Sequence, residues 1–149
     1  MRTAFIDHAV HRLRDPGIAK AVHLTLAALL AFGALNAFGG GYYGLSGAEG
    51  VPKEWLEGSP FTDYFIPSMV LFVVVGGSFL VAAVAVFARW PRARFLALGA
   101  GAVALVWLAV QVAIIGYVSW MQPITGLVAL SMLALAALLP HSDTKMPFS

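Results

Sequence analysis

Polar side chains that interrupt long apolar stretches are the first places in this sequence where chemistry could be done: Asn36, Ser68, Gln111 and Tyr117. An amide or hydroxyl in hydrocarbon costs free energy unless it finds a partner, so each demands one. Trp107 and Gln111 are four residues apart and share a helix face, as do Gln111 and Ile115. Counted along their stretches, Asn36, Ser68 and Gln111 fall toward the same end as Tyr117, Ser119, Gln122 and Thr125. The pattern predicts a pocket that is apolar below and polar above, built by Asn36, Ser68, Trp107, Gln111 and Tyr117 and lidded by Tyr42, Tyr43 and Trp55. Such a pocket suits a lipid, a quinone or another amphipathic molecule. A plainer role fits the same residues, with Asn36 and Gln111 joining helices by hydrogen bonds and the aromatics forming an interfacial belt. The spacing leaves both open.

Other chemistries find less. His8, His11, His23 and His141 all fall on the opposite side from that pocket, and His8 and His11 share one turn, which is weak spacing for a metal or haem site. The outer serines have no histidine beside them to act as base. His141, Ser142 and Asp143 are adjacent in a tail, and adjacency in sequence is not triad geometry. Glu54 and Glu57 read as the solvated face of a short helix rather than an acid/base pair. Cysteine is absent, which removes disulfides, thiolate metal ligands and cysteine nucleophiles. No phosphate-binding glycine loop follows a strand, and no charged residue sits inside an apolar stretch to relay protons. The expectation is therefore no catalytic residue, no metal and no cofactor.

The elements that position these residues follow from solvent. Of 149 residues, 60% are hydrophobic and only 11% charged, against about a quarter charged in an ordinary soluble domain. Residues 21–38, 64–88, 95–118 and 123–139 contain no Asp, Glu, Lys or Arg. About 20 helical residues cross a hydrocarbon core of roughly 30 Å, so the first three are long enough. The fourth reaches that length if Trp120 and Met121 lie at headgroup level and Pro123 occupies the first helical turn. The expected fold is an all-α, integral membrane, up-down-up-down four-helix bundle. It forms a single membrane domain with spans at 18–38, 64–88, 95–118 and 123–139.

Basic flanks orient the bundle. Arg2, Arg12, Arg14 and Lys20 precede the first span, Arg89, Arg92 and Arg94 lie in the inner loop at 89–94, and Lys145 lies in the tail at 140–149. Lys53 alone lies on the other side, surrounded by Glu49, Glu54, Glu57 and Asp63. Basic residues stay cytoplasmic, which places both termini inside, and the loop 39–63 and the turn 119–122 outside. Within residues 1–17, Phe5, Ile6, Ala9, Val10 and Leu13 oppose Arg2, His8, His11, Arg12 and Arg14. That segment predicts an amphipathic helix lying in the headgroup plane and ended by Asp15-Pro16-Gly17. A secretory signal cleaved near Ala37 is the rival reading, disfavoured by the length of the basic region.

In the outer loop, Gly39-Gly40-Gly41-Tyr42-Tyr43-Gly44 reads as flexible backbone leaving the membrane. Residues 52–57 read as a short helix stopped by Gly58, and Ser59-Pro60 as the start of the second span, with Pro67 kinking it. Small pairs (Ala27 and Ala31, Gly33 and Ala37, Ala97 and Gly101, Ala100 and Ala104) and Gly76-Gly77-Ser78 read as packing, because apolar helices in lipid associate by close approach.

At Gly40-Gly41-Tyr42-Tyr43-Gly44-Leu45, Glu54-Trp55-Leu56-Glu57-Gly58-Ser59-Pro60-Phe61, Ile66-Pro67 and Ser119-Trp120-Met121-Gln122-Pro123, the chain resembles small four-span bacterial membrane proteins of unassigned function. The resemblance implies a bacterial plasma membrane and no activity. A second comparison, with four-helix membrane proteins of the DoxX type, rests on span count. Together these readings favour a non-enzymatic protein that serves as an accessory or oligomerising subunit or binds a hydrophobic molecule. Its partners would be membrane lipids and a homo-oligomer or larger membrane complex, without nucleic acid. The alternative is a membrane enzyme or small-solute carrier that uses the outward-facing pocket.

Overall fold

The computed structural model describes residues 2–13 and 15–139. Among them every regular element is helical: α1 (Arg2–Leu13), α2 (Pro16–Leu45), a 3-10 turn (Lys53–Leu56), α3 (Phe65–Phe87), α4 (Ala93–Ile115) and α5 (Met121–Leu138). The last four α-helices are long and apolar enough to cross a membrane. α2 packs against α3 and α5, and α4 packs against the same two, so the four close into a ring. Leu26, Leu30, Val86 and Met132 fill its centre. Each helix also turns large apolar side chains outward, among them Phe32, Leu35, Val84, Phe95, Val106 and Leu127. Water would penalise that surface, and lipid does not.

Asp15 starts α2, accepting a 2.8 Å hydrogen bond from the Gly17 amide, with Pro16 in the first turn where its missing N–H is harmless. Contrary to the sequence reading, the helix does not end at Phe38. It runs through Gly39, Gly40 and Gly41 to Leu45. Tertiary contact overrides glycine's poor helix propensity here. A methyl on Gly41 would lie 2.6 Å from Phe72 Cβ, and one on Gly44 would lie 1.8 Å from Ser68 Oγ. Only backbone fits between α2 and α3 at these points. Deeper in the same interface the Phe38 ring packs edge-on to Phe72 with centroids 4.9 Å apart, and it leaves no room for a side chain on Gly76.

α3 begins at Phe65 rather than Ser59-Pro60. Asp63 Oδ1 accepts from the Phe65 amide at 3.0 Å, while Ser59 closes a local turn with Phe61. This later start changes the role of Pro67. It lies in the first turn and breaks no intrahelical bond, so the expected reason for a kink disappears. The irregularity of α3 is a π-helical segment over Val70–Gly76, between α-helical winding at Phe65–Met69 and Gly77–Phe87. Residues 52–57 form a single 3-10 turn, with Pro52 as its N-cap and Gly58 beyond it at φ +83°.

Of the small pairs, Ala27, Ala37, Ala97, Ala100, Gly101 and Ala104 are buried at helix contacts, whereas Ala31 faces outward. Gly101 admits Leu133 of α5 so closely that a methyl there would lie 2.7 Å from its Cδ2. At the end of α3, Arg89 takes the left-handed conformation (φ +56°), while the Arg89 and Trp90 amides bond Val86 O and Ala85 O at 3.1 and 2.9 Å. This is a Schellman C-cap with arginine where glycine is usual, at a cost of about 1–2 kcal/mol.

Candidate functional site

Between α3 and α4 lies a groove of about 620 Å³. Its α3 wall runs from Tyr64 through Ser68 and Leu71 to Val75, and its α4 wall from Ala102 through Trp107 and Gln111 to Ile115. The i, i+4 spacing of Trp107, Gln111 and Ile115 places all three on the groove side of α4. Leu56 and Phe61 from the preceding loop close one end. The lining is apolar apart from the hydroxyls of Tyr64 and Ser68, the indole N–H of Trp107 and the Gln111 amide.

Three of the five residues expected to build a pocket therefore meet here: Ser68, Trp107 and Gln111. Asn36 does not join them. It faces outward on α2, and its Nδ2 donates to Phe32 O one turn back at 2.9 Å. Tyr117 is 69% exposed in the turn after α4 and lies outside the groove. Tyr42, Tyr43 and Trp55 do not line it either, and the cover comes from their neighbours. The Tyr43 hydroxyl donates to Glu49 O, and the Tyr64 hydroxyl donates to Pro52 O at 2.6 Å. These two bonds fold the loop back, so that Leu56 rather than Trp55 is buried at the groove. Burial, and then the Glu54 carboxylate, raise the Tyr64 pKa above its usual 10.0, which keeps the phenol a donor.

Several hydroxyls elsewhere in the helices satisfy themselves locally. Ser78, Thr125 and Ser131 each donate to a carbonyl of their own helix, at 2.9, 2.9 and 2.8 Å. Gln122, 6% exposed, holds the α4–α5 turn together. Its Oε1 accepts from the Val118 and Ser119 amides at 3.1 and 3.4 Å, and its Nε2 donates to Gly116 O at 3.1 Å. Gln111 differs: among the described residues its amide bonds to nothing, so it joins no helices.

Among the described residues no three His, Asp or Glu side chains converge, and His8 and His11 are exposed on α1. His141, with the whole tail and Lys145, lies outside the described residues. No protein-family model, curated protein or solved structure matches the chain.

Proposed function

We propose that this protein is a membrane-embedded binder of an amphipathic hydrophobic molecule, a lipid or quinone, held in the α3–α4 groove without chemical change. The observation that carries the proposal is the Gln111 amide, which bonds no described group, in a mostly apolar groove. A ligand carbonyl or hydroxyl beside Gln111 would complete its hydrogen bonding, with Trp107 and the valines of both walls along the apolar body. The Tyr64 hydroxyl and the Leu56 cover stand at the same end. The absence of charged residues from the predicted spans supports binding rather than proton-coupled transport.

The membrane is taken to be a bacterial plasma membrane, with both termini cytoplasmic and the helices alternating up and down. Supporting this, the start of α2, the α3–α4 connection and the end of α5 share one end of the bundle, and that end carries the basic residues. In this orientation α1 lies along the headgroups. Its apolar Phe5, Ile6 and Val10 are uncovered by the rest of the chain, with Phe5 78% exposed. Partner subunits or further copies would seat on the outward-facing apolar surface.

Native mass spectrometry of the full chain released from its own membrane tests the binding. The wild type should retain an amphipathic molecule. Gln111→Leu should retain about tenfold less, the equivalent of one hydrogen bond at about 1.4 kcal/mol, with thermal unfolding unchanged. Equal retention by the variant, or none by the wild type, would end the proposal.

A further inference from the structure

A second cavity, of about 450 Å³, lies at the other end of the bundle, walled by the start of α2, the α3–α4 connection and Leu139 after α5. Lys20, His23, Arg89 and Arg94 line it, with Trp90, Pro91, Ala19 and Leu139 as its apolar surface. Lys20 from α2 and Arg89 and Arg94 from the α3–α4 side thus contribute positive charge, and no Asp or Glu is among the lining residues. Arg94 is already engaged, since its Nη1 donates to Leu139 O at 3.4 Å. It adds charge and fixes the α5 wall.

Two further observations point to a ligand. His23 Nε2 is buried, and among the described residues it has no hydrogen-bond partner. A buried ring nitrogen without a partner is costly in any membrane helix. Arg89 holds the left-handed C-cap position at φ +56°, which glycine would occupy without strain. The fold therefore keeps a guanidinium at the cavity wall at the expense of backbone strain, a pattern that accompanies function more often than stability.

We infer that this cavity binds the phosphate of an anionic phospholipid headgroup. Phosphate matches the chemistry of Lys20 and Arg89, and basic pockets between spanning helices are suited to such headgroups. The lipid source is favoured over a soluble phosphate by the setting. Trp90, half exposed at the rim, and the apolar Pro91 and Leu139 lie where a headgroup meets its acyl chains.

The test uses the full-length protein in a zwitterionic detergent, with native mass spectrometry after addition of phosphatidylglycerol or phosphatidylcholine of equal chain length. The wild type should retain the anionic lipid at least about fivefold better, and Lys20→Gln should lose about that factor. Arg89→Gly is the decisive variant. It removes the charge while relieving the backbone, so it should melt no earlier than the wild type and still lose the preference by about fivefold. Gln111→Leu should leave the preference intact, which separates this site from the α3–α4 groove. Equal retention of the two lipids by the wild type, or an undiminished preference in Arg89→Gly, overturns the inference. Displacement of the lipid by millimolar inorganic phosphate would also overturn it, assigning the site to a soluble anion.

Discussion

The two sides of α3 meet their neighbours in opposite ways. Toward α2 the contact is so close that Gly41, Gly44 and Gly76 have no space for a methyl group against Phe72, Ser68 and Phe38. Toward α4, a few residues around the same helix, Val70, Val74 and Val75 border a groove of about 620 Å³. Hydropathy does not distinguish the two sides, since both are built from apolar residues. The difference lies in side-chain volume. Glycine on the partner helix brings backbones together, whereas valine, tryptophan and glutamine on α4 hold them apart.

Substitutions that add bulk break this contrast unequally. Gly41→Ala places a methyl 2.6 Å from Phe72 Cβ and 2.9 Å from its Cα, so α2 and α3 must separate. Stability should fall by about 1–3 kcal/mol, despite alanine's better helix propensity, in thermal or denaturant unfolding of the detergent-solubilised protein. A smaller effect belongs to the cover of the groove. Tyr64→Phe removes the bond to Pro52 O and should cost about 1 kcal/mol, with faster amide exchange at residues 52–57. The same bond has a pH signature. Because the folded Tyr64 pKa is raised above 10.0, its contribution is complete below that value and is lost as pH rises through the higher folded pKa. Loop exchange in the wild type should therefore accelerate only in strongly alkaline solution, and Tyr64→Phe should lack that step. The smallest effect is expected on the open side. Val74 is half exposed on the groove, so Val74→Phe should change stability by no more than about 0.5 kcal/mol while displacing a bound molecule. A large loss of stability in this variant would mean that the groove closes in the membrane.

What could be read from the sequence follows the same division. The charge-free stretches mark four helices because hydrocarbon imposes that requirement on each residue separately, without reference to its neighbours. The shared face of Trp107, Gln111 and Ile115 is likewise local, fixed by helix geometry. Gly39-Gly40-Gly41 departs from its sequence reading for the opposite reason. Its preference for a break is local, but Phe72 and Ser68, some thirty residues away, hold it helical. Nothing near Leu56 marks it as the residue that covers the groove, because its position depends on the tyrosine bonds to Glu49 and Pro52. In the sequence Arg89 is one of three basic residues in a loop, and only the backbone distinguishes it. Asn36 and Gln111 were indistinguishable as amides in hydrocarbon. One bonds its own helix and the other bonds no described group.

The π-helical segment Val70–Gly76 has a consequence for the whole of α3. Wider winding accommodates about one residue more than an α-helix of equal length, which turns everything beyond it by roughly 100°. The hydrophobic stretch is uninterrupted, but it carries two rotational phases. The first phase divides its residues between the glycine contact and the groove. The second phase buries Ala82, Ala83, Ala85 and Val86 and leaves Leu80, Val81 and Val84 exposed. One helix can thus place its first half between a close contact and an open groove and seat its second half tightly, each aligned to its own neighbours.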